Sequence, residues 1–522
     1  MHLLLGAPIA TVVLIAIVII LIYLYKTSEL LNRNRLRIAI FITIIAAIIL
    51  NVFLIIVRRP PVQKFKLAVL PFVVDQSLQA ENHWMQFAIP EIIGTTLQRN
   101  YQPETVVATL EWTYHALAID LLSDNGYMAR LFKRMPFSHF LTGHVYGSSD
   151  SLVIFYEIRS HDGKKTNGEI SGSIPGLTDL VRNVTATIDE QLPDATTKKS
   201  ASVFPYSPDQ LRWYFSGYKY FLDTEYQDAL LYYRNIPSKI ISFPEARLLI
   251  ARCLFQVGLK ERQSGKKDRE TAYFTQAKSI AQQVVQEDTL LDDAHRLLGE
   301  YYIYSERWSL ADFHLREGFQ RNPLNYRLYH PLSRLNVERF SGLGFSSERT
   351  LYERAIYINP CYTDGYIALS DILLFENKRE QAIDMLNTYL AIDPNSVPAL
   401  MALGKIYIVR NEMLPIMDIL TKVIKLDPTN TDAYFNLGIL YYNSNDIDNA
   451  KRFFEKAIEI DNHLNSHLYL AYINELRGDM ENAVNELRLR IRYKTGPDDE
   501  FAEEARKHLY KIMHPDEFKD KQ

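Results

Sequence analysis

Apolar residues in the C-terminal half of the chain recur with a period of 34 residues. Each unit places large apolar side chains along one face of a first helix and small alanines along a second, so that the two helices can pack closely. A proline then ends the second helix, because proline cannot donate a backbone hydrogen bond. One such pair cannot bury its apolar face alone, so the pattern predicts a stack of helix pairs. The units close at Asn322-Pro323, Asn359-Pro360, Asp393-Pro394, Asp427-Pro428 and Asp461-Asn462.

The unit that begins at Thr431 carries the pattern most fully. Its matching positions are Tyr434, Leu437, Gly438, Tyr441, Ala450, Phe454 and Ala457. This spacing resembles the tetratricopeptide repeat (TPR), with Tyr in place of the family's first Trp and Asn462 in place of its Pro. Slid along the chain, the template gives about eight repeats, of which the degenerate unit at 326–362 is predicted to be the weakest. The resemblance implies an all-α superhelical solenoid over residues 209–515, closed by a polar capping helix at about 501–513.

Two long apolar segments occupy the N-terminal end. Residues 3–25 carry no charge, and a second apolar run of similar length follows after a short basic loop. About 20 apolar residues in a helix span the hydrocarbon core of a bilayer. We therefore predict a transmembrane helical hairpin within residues 1–59, with spans at about 4–25 and 38–57, that anchors the chain in a membrane. A cleaved signal peptide is disfavoured, because no basic segment precedes the first run.

Residues 60–195 show a different pattern, in which short runs rich in β-branched residues alternate with helical spacing. Together these elements predict a mixed α/β domain large enough for its own core. The polar, proline-containing segment 196–208 is predicted to link this domain to the solenoid. The predicted strands lie at 66–74, 105–110, 140–145, 152–158 and 169–173, and the predicted helices lie at 84–98, 117–134 and 177–191.

Four blocks of this middle domain point to a family. They are Leu67-Ala-Val-Leu-Pro-Phe72, Phe140-Leu-Thr-Gly-His-Val145, the strand at 152–158 and the turn Asp162-Gly163. In this order they resemble the TolB N-terminal-like (FlgO-like) domain, and Glu91 matches the glutamate at a helix start in that family. The resemblance implies no catalytic residues. It implies a bacterial membrane-associated adaptor, so we expect an integral membrane protein of the bacterial inner membrane with its soluble part extracytoplasmic; the flanking positive charges alone do not decide the side.

Charge and motifs narrow the function further. Residues 1–66 sum to +7 and the remainder to −11, which argues against nucleic acid as the main partner. No zinc-binding H-E-x-x-H or C-x-x-C motif, phosphate-binding loop or nucleophile elbow occurs. We therefore predict no metal, no cofactor and no enzymatic activity. Cys253 and Cys361 are predicted to be free, buried thiols.

A TPR solenoid binds its partners on the concave surface, which is lined by fixed positions of each first helix. We expect a protein or peptide segment with apolar anchors there. The alternative is that these side chains only pack against a neighbouring helix or against the middle domain. The predicted partner-binding residues are Tyr214, Tyr218, Arg252, Arg296, Glu300, Asp371, Lys405, Phe435 and Tyr469.

The predicted function is thus a membrane-anchored TPR scaffold or adaptor that holds a protein or peptide at the cell envelope. A sensor whose α/β domain binds a small ligand is the alternative. An envelope-processing enzyme is a third reading, and it would require a convergent set of titratable residues within 65–195, which the sequence does not reveal. The sequence predicts no oligomeric state.

Overall fold

A computed structural model of the chain describes most of the residues from Phe65 onward. The predicted transmembrane spans at about 4–25 and 38–57 lie outside the described residues, as does most of the predicted linker. The described residues are 65–100, 105–114, 127–148, 150–192, 206–237, 239–240, 243–263, 267–287, 291–410, 413–493 and 499–514.

The predicted localisation is corrected by the structure. The prediction of an integral protein of the bacterial inner membrane is wrong, because no helix within the described ranges is both long enough and apolar enough to cross a bilayer. The helix Lys267–Glu287 illustrates the reason: it has the length, but it carries charged side chains in its first turn and is polar along much of its surface. The two segments on which the prediction rested are not among the described residues.

A mixed sheet lies at the centre of the α/β domain. Its described strands are β1 (Phe65–Val69), β2 (Val73–Val74), β3 (Thr105–Ala108), β4 (His139–Gly147), β5 (Leu152–Ser160) and β6 (Lys165–Gly172). The order is β3-β1-β4-β5-β6, with β2 paired to β4. β1 runs parallel to β3 and β4, and β4 to β6 form an antiparallel meander. The single strand predicted at 66–74 is two strands, because Pro71 has no N–H to donate to a ladder.

Helices flank this sheet. They are α1 (Gln76–Asn82), α2 (Met85–Asn100), α3 (Leu110–Thr113), α4 (Tyr127–Arg134) and α5 (Leu177–Gln191). α2 and α5 pack with one face of the sheet, where Leu67 and Val69 are fully buried. β1 is buried on both faces, as expected for a parallel strand between two neighbours. The helix predicted at 117–134 is described only from Tyr127 onward.

The rest of the described chain is a series of helix pairs. The helices before the degenerate unit are α6 (Pro208–Leu222), α7 (Tyr226–Arg234), α8 (Pro244–Gln263), α9 (Lys267–Glu287), α10 (Asp292–Tyr304) and α11 (Trp308–Arg321). The degenerate unit holds a 3₁₀ turn (Tyr326–Leu328), α12 (Tyr329–Ser333), α13 (Val337–Ser341) and α14 (Glu348–Ile358). The regular pairs that follow are α15 (Thr363–Phe375) with α16 (Arg379–Ile392), α17 (Val397–Arg410) with α18 (Met413–Leu426), α19 (Thr431–Asn443) with α20 (Ile447–Asp461), and α21 (Leu464–Leu476) with α22 (Met480–Arg492). The helix α23 (Glu500–Met513) follows the last pair, and a helix was predicted at about 501–513.

Two small residues show why the repeat needs its pattern. A Cβ atom added to Gly438 in α19 would lie 2.5 Å from the ring of Phe454 in α20, so only glycine allows these helices to approach so closely. Asn462 occupies the position of the repeat's proline. It ends α20 in the left-handed conformation, at φ 45° and ψ 50°, which Asn tolerates better than most residues.

The α/β domain and the solenoid share their hydrophobic core. The second face of the sheet, with Ala68, Val106 and Phe140, belongs to the same buried cluster as Leu248 and Phe255 of α8. The first face joins a second cluster that extends into α6 and α7. The α/β domain therefore packs on the first repeats over a continuous apolar surface.

Candidate functional site

The predicted concave residues of the first repeats are buried. Tyr214 and Tyr218 on α6 expose 6% and 2% of their surface, and Arg296 on α10 exposes 6%. Arg252 on α8 and Glu300 on α10 are largely enclosed as well. We call these five residues the covered half of the predicted groove.

Glu111 of the α/β domain is the charged residue at the centre of the contacts made with the covered half. It lies in the first turn of α3, and its carboxylate forms ion pairs with Arg252 and with Arg327, the latter at 2.6 Å between Nη2 and Oε1. The hydroxyl of Tyr218 donates to the same carboxylate at 3.4 Å. Burial alone would raise the pKa of Glu111, but the charges of Arg252 and Arg327 outweigh burial and hold its pKa below the ordinary value.

Asp293 of α10 extends this ion-pair network along the solenoid. Its Oδ2 lies 3.5 Å from Nε of Arg252, and Arg296 pairs with it from the same helix. Nη1 of Arg296 also donates to Oε1 of Glu300 at 2.7 Å. Burial opposes ionisation of Asp293, but Arg296 and Arg252 lower its pKa far below the ordinary value. Each of these guanidinium groups is therefore held by carboxylates of the chain itself.

Glu91 of α2 lies beside this network and differs from it. Glu91 exposes 8% of its surface. The groups that donate hydrogen bonds to its carboxylate, on Thr95, Thr109 and the backbone of Glu111, are neutral. The hydroxyl of Thr95 donates to Oε1 at 3.3 Å, and the backbone N–H of Glu111 donates to Oε2 at 3.3 Å. Burial and the neighbouring charge of Glu111 raise the pKa of Glu91 to about 7. Its charge state therefore changes near neutral pH.

A cavity of about 560 Å³ lies between the α/β domain and the solenoid. The α/β domain contributes Glu91, Thr95, Gln98, Thr109, Glu111 and Trp112 to its lining. The solenoid contributes Tyr214, Tyr218, Glu245, Leu248, Leu249, Arg252, Leu291, Asp292, Asp293, Arg321, Asn322, Pro323, Leu324, Asn325 and Arg327. The volume falls within the range of small-molecule sites, and the lining combines apolar walls with a few convergent polar groups.

Further contacts tie the α/β domain to the solenoid outside the cavity. The hydroxyl of Tyr114 donates to Oδ1 of Asp223 at 2.9 Å. Nζ of Lys66 donates to the backbone oxygen of Tyr357 at 2.9 Å. Nε of Arg134 donates to the backbone oxygen of residue 392 at 3.1 Å. The attachments therefore reach from the first repeat to the end of α16.

The remaining predicted residues differ in environment. Asp371 on α15 and Lys405 on α17 are exposed, and Tyr469 on α21 is half-buried. Phe435 on α19 is 9% exposed and forms an edge-to-face contact with Tyr469, with ring centroids 5.6 Å apart. We call Asp371, Lys405, Phe435 and Tyr469 the open half. The structure does not bring the two halves of the predicted set together.

Several residues of the cavity were missed by the motif search. Glu111, Asp293 and Arg327 fit no spacing motif, because they come from two domains and meet only when the chain folds. Glu91 stood out only through a family resemblance. One signal was available: positions 5 and 9 of the first three repeats all carry large side chains, namely Tyr214 and Tyr218, Leu248 and Arg252, and Arg296 and Glu300. Such side chains fit packing against another surface as well as an open groove.

The structure also reports on metals and thiols. Within the described parts of the chain, no group of three or more His, Cys, Asp or Glu side chains is placed to hold a metal ion. The prediction of free, buried cysteines is confirmed for Cys253 and Cys361. Burial raises the pKa of both thiols to about 12, so they remain protonated and unreactive at neutral pH.

Comparisons with known proteins extend this description. No curated protein sequence matches the chain. Solved structures are similar over part of its length. MamA is 21% identical, with 30% of this chain and 92% of that chain covered and a TM-score of 0.26. The human IFIT1 dimer with m7Gppp-AAAA is 13% identical and has a TM-score of 0.43. The similarity covers 65% of this chain and 78% of that chain. A chain of the APC/C hetero-tetramer Cut9-Hcn1 is 14% identical and has a TM-score of 0.42. The similarity covers 66% of this chain and 61% of that chain.

One family profile matches the chain directly. Residues 431–463 match the tetratricopeptide repeat, and they coincide with the unit that carries the sequence pattern most fully. The structure places the helix pair α19 and α20 there, with the glycine and phenylalanine of the repeat in close contact. This match and the recurrence of the same helix pair along the chain support a tetratricopeptide-repeat protein.

Proposed function

We propose that this chain is a protein-interaction scaffold that holds a partner segment along the open half of its concave surface. TPR solenoids present such surfaces to extended or helical segments. The covered half is unsuitable for this role, because its arginines and tyrosines already contact the α/β domain or each other. The proposal assigns no catalytic step to the chain.

One observation carries this proposal: equivalent positions of successive first helices differ in what they contact. Arg252 occupies the ninth position of its helix in the repeat template, as Lys405 does in a later repeat. Arg252 is enclosed and paired with Glu111, whereas Lys405 is exposed. The open half therefore combines exposed charges at Asp371 and Lys405 with the half-buried ring of Tyr469, which packs on the buried ring of Phe435. This lining suits a segment that offers one or two apolar anchors and a charged flank.

A pair of photo-crosslinking variants tests the location. A photoreactive residue at Lys405 should capture a partner from a host extract, whereas the same residue at Asn387, exposed on the second helix of its pair, should not. Adding Asp371→Lys and Tyr469→Ala should weaken capture by about 1–2 kcal/mol for each contact that is important for binding. Equal capture at Lys405 and Asn387, or capture that is unchanged by the added substitutions, would contradict the proposal.

We also propose that the α/β domain is of the TolB N-terminal-like type. The support is positional. The block at 67–72 covers the end of β1 and the start of the turn to β2, the block at 140–145 lies on β4, and Asp162-Gly163 forms the turn between β5 and β6. Determining the structure of a family member by crystallography tests this assignment, since a strand order other than β3-β1-β4-β5-β6 would remove the support.

A further inference from the structure

The lining of the cavity between the α/β domain and the solenoid contains more carboxyl groups than guanidinium groups. It contains five carboxyl groups, on Glu91, Glu111, Glu245, Asp292 and Asp293, against three guanidinium groups. The guanidinium groups are already engaged. Arg252 and Arg327 pair with Glu111, and Arg321 pairs with Glu317 at 2.6 Å. The guanidinium groups of the lining are therefore held by carboxylates of the chain itself.

Glu91 is the carboxylate best placed to receive a cationic ligand. It is more than nine-tenths buried, it lines the cavity, and the groups that donate hydrogen bonds to it are neutral. A buried carboxylate without a cationic partner is costly, and a cation that enters the cavity removes that cost. The other charged or titratable groups that act on it are Glu111, Arg327, Tyr214 and Tyr218.

The apolar side chains that line the cavity indicate the chemical character of the uncharged part of the ligand. Trp112, Tyr214 and Tyr218 contribute aromatic surface, and several leucines contribute aliphatic surface. Aromatic rings attract organic cations as well as apolar groups. A compact molecule with one ammonium group and an apolar or aromatic body fits this lining.

We propose that the cavity binds a small organic ammonium cation, with the carboxylate of Glu91 accepting hydrogen bonds from the ammonium group. This site is separate from the open half of the groove and does not depend on the proposed scaffold function. Because the ligand contacts both the α/β domain and the solenoid, its binding strengthens the attachment of one to the other.

Three probes of matched size test the charge preference. Calorimetric titration of the full chain at pH 8 with 2-phenylethylammonium, 2-phenylethanol and phenylacetate should give binding only for the ammonium compound, or binding at least tenfold tighter for it. The three compounds share the aromatic body, and their polar groups are cationic, neutral and anionic, respectively, at pH 8. If phenylacetate binds as tightly as the ammonium compound, or none of the three binds, the proposal is overturned.

The role of Glu91 is tested by substitution and by pH. Glu91→Gln keeps the shape and the hydrogen-bond acceptor, and it should weaken binding of 2-phenylethylammonium at least tenfold. The matched control is Glu169→Gln on the edge strand β6, away from the cavity, which should bind as the original chain does. The affinity of the original chain should be about tenfold higher at pH 8 than at pH 6, because Glu91 must release its proton before it can pair with the cation.

This pH dependence separates a binding role from a structural one. Glu91→Gln should retain the helical circular dichroism of the original chain and lose the pH dependence of whatever binding remains. A Glu91→Gln chain that is folded and binds the probe with unchanged affinity and unchanged pH dependence would overturn the proposal.

Discussion

Two halves of one predicted surface behave differently in this molecule. The repeat template gives Arg252 and Lys405 the same position on their helices, and both were predicted to face a groove. In the structure, Arg252 lies between Glu111 and Asp293, whereas Lys405 is exposed. The comparison teaches that a repeat pattern fixes the direction of a side chain, and that a second domain decides what the side chain meets.

The largest expected effect comes from reversing the charge of Arg252. In Arg252→Glu, the carboxylates of Glu111 and Asp293 would face another carboxylate in a buried site. Breaking a buried ion pair costs about 3–5 kcal/mol. We expect urea unfolding of the full chain to show a loss of this size and the α/β domain to become more susceptible to limited proteolysis.

Lys405→Glu is the matched control at the equivalent exposed position, where surface substitutions change stability by about 0.5 kcal/mol or less. If Arg252→Glu and Lys405→Glu lose the same stability, the distinction between the halves fails.

The second effect is a pH dependence that arises where the α/β domain packs on the covered half. The pKa of Glu91 is raised to about 7 from an ordinary value of 4.5, so the folded state favours the protonated carboxyl. This contribution to stability is fully present below pH 4.5 and is lost as the pH rises through 7. Its full size is about 3 kcal/mol. Glu91→Gln should make the free energy of unfolding less dependent on pH between 5 and 8.

His295 acts in the opposite direction and has to be separated from Glu91. Burial lowers its pKa to about 4, with the charge of Arg321 adding to the effect. Stability from this group falls as the pH falls from 6.5 through 4, because the unfolded histidine takes up a proton first. The difference between Glu91→Gln and the original chain, measured at each pH, removes the histidine contribution. A difference that does not vary between pH 5 and pH 8 would show that Glu91 has no raised pKa.

A smaller effect on stability distinguishes the packing of α6, in the covered half, from that of α17, in the open half. A Cβ atom at Gly217 would lie 2.4 Å from the ring of Tyr233, and that ring is fixed by a 2.7 Å hydrogen bond from its hydroxyl to the backbone oxygen of Tyr214. Gly217→Ala should therefore cost about 1–3 kcal/mol. At Gly404 the nearest atom lies 3.5 Å away, an ordinary contact. Gly404→Ala should stabilise by about 0.5–1 kcal/mol, as alanine does within helices. Thermal unfolding measures both, and a Gly217→Ala chain that is as stable as the original would show that Tyr233 can move aside.

The smallest expected effect is a difference in hydrogen exchange at the degenerate unit, which lies between the repeats of the covered half and those of the open half. The degenerate unit at 326–362 contains short helices, the longest being the 11-residue α14, whereas the unit at 431–463 has helices of 13 and 15 residues. We expect its amides to exchange hydrogen faster than those of the later unit. Hydrogen exchange followed by mass spectrometry measures this difference. Uniform protection across residues 292–464 would contradict the prediction, and packing of Tyr326 against Trp112 of the α/β domain, with ring centroids 4.9 Å apart, would then be the reason.

Local elements of this fold were predictable from local pattern. The helix α5 matches its predicted bounds of 177–191, and the helices of the unit at 431–463 follow from the positions of Gly438 and Phe454. These features depend on side chains a few residues apart, so a short segment contains the necessary information. The division of the strand at 66–74 was also within reach, since Pro71 lies in its middle.

The site was less accessible to sequence reasoning. Arg252 and Glu111 are 141 residues apart in the chain, and their approach depends on how the α/β domain packs on the solenoid. That packing is governed by apolar faces such as those of Phe140 and Phe255, which in the sequence look like ordinary core residues. A carboxylate that meets an arginine from another domain leaves no periodic signal. The sequence therefore predicted the type of each side chain on the concave surface but not its contact.

The attachments of the α/β domain at Asp223, Tyr357 and residue 392 have a mechanical consequence. A stack of helix pairs resembles an elastic coil, since small rotations between neighbouring repeats add up to large changes in curvature. A body fastened to the coil at three separated points acts as a brace and restricts those rotations. The repeats beyond α16 have no described attachment of this kind to the α/β domain. The curvature of the solenoid should therefore be hard to change in the repeats up to α16 and easier to change in the repeats beyond it. A bound segment could set the superhelical pitch of those later repeats.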